Sequence, residues 1–93
     1  MADTDVLSTR LTSSGTVSAL PTRLRAVSIL AGASAGTVQF RAGGASGTIL
    51  CEIDTPASAT TTVQVLLPGN GIRFRTDLYA TLTNVTAVTA FYG

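Results

Sequence analysis

Residues 60–93, TTTVQVLLPGNGIRFRTDLYATLTNVTAVTAFYG, constrain the fold more than any other stretch. Val63, Val65 and Leu67 alternate with Gln64 and Leu66, and Ile72 and Phe74 alternate with Arg73 and Arg75. Leu78, Ala80 and Leu82 alternate with Tyr79, Thr81 and Thr83. A period of two at this density marks half-buried antiparallel strands, because successive side chains point to opposite faces of a sheet. Pro68-Gly69-Asn70-Gly71 and Asn84-Val85 separate the runs with residues that tolerate positive φ. The expectation is two consecutive hairpins, the last strand closing on Phe91 and Tyr92, with at least one of those rings buried.

The same reading extends upstream. Residues 5–12 form a possible first strand with Leu7, Thr9 and Leu11 on one face. Ser13-Ser14-Gly15 breaks it, and residues 16–20 follow as a short partner strand or an extended arm. Residues 23–31 form a firm strand with Arg25, Val27 and Ile29 on one face. Residues 37–41 place Val38 and Phe40 inward and Gln39 and Arg41 outward. The loop at residues 42–47 makes a hairpin with residues 48–54, where Ile49, Cys51 and Ile53 face in. This adds up to seven to nine short strands and no helical periodicity, which indicates an all-β fold. A single antiparallel β-sandwich or jelly-roll-like barrel over residues 1–93 is expected, with residues 1–20 as an N-terminal arm or edge strands.

Composition narrows the function. Charged residues are 12% of the 93, against roughly 25% on average. All six basic residues are Arg, and no Lys or His occurs. Sixteen Thr and eight Ser supply most of the polar surface. A net charge of +1 carries neither a nucleic-acid footprint nor a membrane-surface patch. No run of ~18 apolar residues occurs, so no transmembrane helix is expected. The segment AVSILAGASAG behind Arg23 and Arg25 imitates a signal sequence, but it starts too far into the chain and reads as a strand. A chain this small buries only about 60–65% of its unfolded surface, and sparse charge on the remainder favours contact with other proteins.

No cofactor or metal site emerges. The glycine-rich loop at residues 43–47 lacks the lysine and the following helix of a phosphate loop. Glu52 and Asp54 project from one strand face, but two carboxylates are too few for a Ca²⁺ cage. Cys51, the only cysteine, reads as a buried apolar thiol. Without His, the commonest general acid–base side chain is missing, and serine lacks an activating partner; an enzyme is not expected. Asn84-Val85-Thr86 matches a glycosylation acceptor pattern at a turn. Arg73 with Arg75, and Arg23 with Arg25, form forks suited to carboxylates at an interface. Glu52 and Asp54 are the carboxylates best placed to answer them, and Tyr79 offers an outward ring for a neighbour or a sugar.

From about residue 23 to residue 93 the chain resembles small β-rich virion proteins of tailed bacteriophages, especially those of marine bacteria. The resembling parts are GTVQFRAGGASGTILCEIDTP, LLPGNGIRF and TDLYATLTNVTAVTAFYG. The resemblance implies a structural component of the virion, foremost a capsid decoration or cement protein, and brings no catalytic residue with it. The expected partners are further copies of the chain, as a trimer, and the major capsid protein or other virion proteins. A neck, tail or fibre component is the alternative within that class. A carbohydrate-binding module using Tyr79 or Tyr92 is the alternative outside it.

Overall fold

The inward positions of the alternating runs meet in one core. Phe40, Phe74, Leu24, Ile29, Leu78, Val27, Val38 and Val88 are the largest fully buried side chains. The computed structural model describes residues 6–58 and 60–93. Asp3, Asp5 and the start of the first expected strand lie outside them. Nine strands occur among the described residues: β1 (Leu7–Leu11), β2 (Gly15–Ser18), β3 (Thr22–Ala31), β4 (Gly36–Ala42), β5 (Thr48–Thr55), β6 (Thr62–Leu66), β7 (Ile72–Phe74), β8 (Leu78–Thr83) and β9 (Val85–Tyr92). They form an antiparallel β-sandwich. Sheet A has the order β1-β9-β3-β6, with β7 also on β3, and sheet B has the order β2-β8-β4-β5. Residues 7–18 are therefore edge strands rather than an arm, β1 on sheet A and β2 on sheet B.

The expected pairing of residues 60–93 is corrected on both counts. β6 and β7 do not pair with each other. Both run antiparallel to β3, β6 along Ala26–Leu30 and β7 along Thr22–Leu24. The segment Pro68-Gly69-Asn70-Gly71 thus loops out between two pieces of one strand line. The turn chemistry is as expected, with Gly69 at φ 62 and Gly71 at φ 88. A Cβ on Gly71 would lie 2.3 Å from the Leu24 carbonyl oxygen. Likewise β8 and β9 are no hairpin, for β8 belongs to sheet B and β9 to sheet A. Asn84, at φ 55, turns the chain from one sheet to the other, so that Leu78 and Ala80 share the core with Val88 and Ala90. The hairpin at residues 42–47 does form: β4 pairs with β5 around a short 3-10 turn.

One facial assignment also changes. Leu24 and Val27 are both buried although three residues apart. The register of β3 against β9 slips between Leu24 and Ala26. This bulge inserts one residue and shifts the phase of the strand. Arg25 therefore points out, not in with Val27 and Ile29. Its carbonyl accepts the Leu67 N–H at 3.0 Å, which places the bulge opposite the Pro68 loop. A second slip, between Phe40 and Arg41 against β5, leaves Ile49 exposed while Cys51 and Ile53 face the core. At the C-terminal end Phe91 and Tyr92 are each half-buried, and Ala90 is the fully buried residue.

Two crossovers between the sheets meet backbone to backbone at one end of the sandwich. A Cβ on Gly36 would lie 2.3 Å from the Thr83 carbonyl oxygen and 2.6 Å from that of Asn84. On Gly32 it would lie 2.4 Å from the Asn84 oxygen. Neither contact can be relieved by a side chain, so the strands themselves must separate. Gly36→Ala is expected to destabilise by about 1–3 kcal/mol or more, read as a lower urea midpoint. Gly15→Ala is the control: its Cβ would meet nothing closer than 3.7 Å, and the midpoint should move by less than about 0.5 kcal/mol equivalent.

Candidate functional site

Alternation sorts the charged residues onto the two outer faces. In sheet A, Arg23 stands directly opposite Arg73, and their strand neighbours Leu24 and Phe74 are buried. Arg10 lies across from Thr89, outward because Thr9 and Leu11 pair with the buried Ala90 and Val88. Arg25 joins them through the bulge, its Nη2 donating to the Gly93 carbonyl at 3.3 Å and its Nε buried without a partner. Arg75 follows immediately after β7 and is exposed. The rest of this face is uncharged, with rows Leu66–Ala26–Phe91–Ser8 and Gln64–Ser28–Thr89–Arg10. Leu66 is 86% exposed and shares a shallow cavity of about 320 Å³ with Ala26 and Phe91. Arg73 stands between two further hollows, one bounded by Pro21 and Gly93, the other shared with Leu50 and Arg75.

The outer face of sheet B is different. Arg41 bridges three groups: its Nε donates to Thr81 Oγ1 at 3.1 Å, its Nη1 to the Gly47 carbonyl at 3.0 Å, and its Nη2 to Gln39 Oε1 at 2.7 Å. Gln39 Nε2 then donates to Glu52 Oε2 at 2.6 Å. Thr37 Oγ1 donates to Asp54 Oδ1 at 3.3 Å. Gln39 with Glu52 and Thr37 with Asp54 are cross-strand neighbours in register. Tyr79 sits half-buried on the same face between Thr16 and Arg41. Tyr92 is on the other side of its sheet, packed against the core with its hydroxyl 3.0 Å from Thr9 Oγ1.

Arg23 and Arg73 stand together on sheet A and Arg25 joins them through the bulge, but the chain does not pair these arginines with the acids. Arg73 and Arg75 belong to the sheet A side, Glu52 and Asp54 to the outer face of sheet B. Among the described residues no arginine nitrogen lies within 4.0 Å of a carboxylate oxygen. Like charges opposite each other on a sheet cost roughly 0.2–1 kcal/mol, so Arg23 facing Arg73 is a small cost to folding. Arg73→Ala with Arg75→Ala is accordingly expected to leave the melting midpoint within a few degrees of wild type, since exposed charges contribute about 0–1 kcal/mol. If copies of the chain associate through these arginines, that association should weaken all the same. Thermal melting and sedimentation on one preparation would separate the two effects, and a large fall in the midpoint would contradict the exposed placement.

Sequence reasoning missed Arg10 as a site residue, although its neighbours Thr9 and Leu11 already marked it as outward. It also missed Arg41 as the centre of the sheet B network, for which outward orientation was the only signal. Asp77 has a structural role: its carboxylate accepts the Gly43 N–H at 2.6 Å and anchors the β4–β5 loop, where Gly43 sits at φ 108. Cys51 is free and half-buried, and burial raises its thiol pKa above the ordinary value of 9.0, the behaviour of a packed rather than a reactive thiol. Asn84 is exposed at the crossover, its Nδ2 donating to the Ala35 carbonyl at 3.3 Å. No group of three or more His, Cys, Asp or Glu side chains among the described residues could hold a metal ion. No protein-family model, no curated protein and no solved structure matches the chain.

Proposed function

We propose that this chain is a non-enzymatic structural protein of a tailed-phage virion. In this reading it is a homo-oligomeric decoration protein that binds the outside of the head and bridges shell subunits. The observation that carries the reading is the outer face of sheet A. It is four strands wide, bears no acid among the described residues, and exposes Leu66 beside Phe91 and Ala26. An apolar row running in from the β6 edge and flanked by arginines is in keeping with a protein-binding surface, and it accords with the resemblance of the three quoted segments to virion proteins. Its mechanism is mechanical: surface is buried between neighbouring subunits, and the arginines set register.

Cryo-electron microscopy of intact particles tests this. The nine-strand sandwich is expected as repeated density on the outer shell. Density confined to the neck, tail or fibres would move the protein to the alternative virion role. Light scattering of the isolated protein is expected to give an oligomer, with three copies as the expected number. A second function draws on one observation, the half-buried Tyr79 ring on the polar outer face of sheet B between Thr16 and Arg41. That arrangement fits a carbohydrate-binding module, and a selective signal on a glycan array would favour it over decoration. Tyr92 does not support that alternative, because its ring is packed on the core.

A further inference from the structure

We infer that the protein associates with itself head to tail, the arginine face of one copy closing on Glu52 and Asp54 of the next. This rests on the self-association reading above and names the two surfaces involved. Four of the six arginines, Arg10, Arg23, Arg25 and Arg73, belong to the outer face of sheet A, and a fifth, Arg75, stands at the edge of the sandwich beside Arg73, just past β7. No acid shares that face among the described residues. The sixth, Arg41, is already bonded on sheet B. Glu52 and Asp54 are exposed, and each accepts a single hydrogen bond from a neutral donor. A carboxylate has about four acceptor sites and takes a guanidinium in a two-pronged contact, so both retain room for arginine.

The spacings agree. Residues two apart on a strand stand about 6.6 Å from each other, which describes Glu52 with Asp54 and approximates Arg73 with Arg75. Two guanidiniums can therefore meet two carboxylates in register. The apolar parts agree as well. Leu66 is exposed on the arginine face, and Ile49, 42% exposed and paired with the outward Arg41, lies near Glu52 on β5.

Charge selects the pairing. Two sheet A faces brought together would set arginines against arginines with no intervening acid. Two copies meeting through the outer face of β5 would set carboxylates against carboxylates. Only the unlike pair is complementary, and juxtaposed like charges disfavour the other two. Such an interface uses different patches on the two copies, so it leaves one free patch at each end and closes as a ring when the rotation permits.

The test uses purified full-length chain and sedimentation velocity in low and high salt. One variant carries Arg73→Glu with Arg75→Glu, and the other Glu52→Arg with Asp54→Arg. Circular dichroism and melting confirm that both fold; Arg73→Gln with Arg75→Gln and Glu52→Gln with Asp54→Asn serve as milder substitutes if either does not. The expected result is that wild type associates, with weakening at high salt, and that each variant alone associates about 30-fold more weakly or worse. Mixing the two reversed variants in equal amounts is expected to restore association as alternating pairs and even-numbered assemblies, since each then offers the charge the other lacks and a ring of three would leave one like-charged junction. If both variants sediment as wild type, or the mixture fails to recover, the head-to-tail pairing is overturned while self-association stands. If wild type remains a monomer at micromolar concentration, self-association falls with it, and the particle density still decides the virion role.

Discussion

Removing residues 90–93 is expected to leave a chain that no longer folds. β9 lies inside sheet A, between β1 and β3. The deletion takes away three of the five register partners of β1, namely Tyr92, Phe91 and Ala90 for Leu7, Ser8 and Thr9. On the other side it strips Leu24, Ala26 and Val27 of theirs. Ala90 is fully buried, and Tyr92 covers part of the core and ties its hydroxyl to Thr9. The Gly93 N–H bond to the Arg23 carbonyl, 3.1 Å, goes as well. Truncating a core aromatic alone costs about 3–5 kcal/mol. Tyr92 is only half-buried and accounts for part of that, but the lost ladder leaves backbone groups of a central strand unpaired and the inner face of sheet A open. The sum is comparable to the ~5–15 kcal/mol that holds a typical domain together. Insoluble protein, or soluble protein without a cooperative melt, is the expected outcome. A deletion variant that melts at the wild-type temperature would show that the end of β9 adds nothing to the sheet.

The second large effect is expected at Phe74. Its ring is fully buried in a strand of three residues, between two exposed arginines. Phe74→Ala should cost about 3–5 kcal/mol. For a domain of this size that lowers the melting midpoint by about 12 °C or more. The arginines on either side should move it hardly at all. The contrast within one strand is the measurement of interest, because it separates inward from outward positions by energy rather than by geometry. Differential scanning calorimetry of Phe74→Ala beside the Arg73, Arg75 double variant would show it. Similar small shifts in both would mean that β7 contributes little to the core.

Where each strand lies, and which of its faces is buried, was largely legible in the sequence. Residues 63–67, 72–74 and 78–82 alternate as local chemistry demands, and Val38, Phe40, Phe74, Leu78 and Ala80 are buried where alternation puts them. The β4–β5 hairpin was legible too, because its loop is short and its arms are adjacent. Alternation is a property of a single strand, since the pleat turns every second side chain to the same face.

Which strand pairs with which was decided only by the tertiary structure. A strand's alternation is satisfied by any neighbour that completes the sheet. The same glycine and asparagine turn residues serve a hairpin, a loop between two pieces of one strand line, or a crossover between sheets. Hence Pro68–Gly71 and Asn84 turn the chain as expected, yet join elements that do not pair. The bulge at Arg25 was invisible for a related reason: one inserted residue reverses the phase, and nothing in Leu24-Arg25-Ala26-Val27 marks where the insertion falls. The candidate site inherits this division. That Arg73 and Arg75 point outward follows from their neighbours, whereas Arg23 points outward only because the bulge reverses the phase of β3, since alternation alone would set it with Val27 and Ile29. That they gather with Arg10 and Arg25 on one side, away from Glu52 and Asp54, follows from strand order, which packing of the whole core selects and no local run of residues encodes.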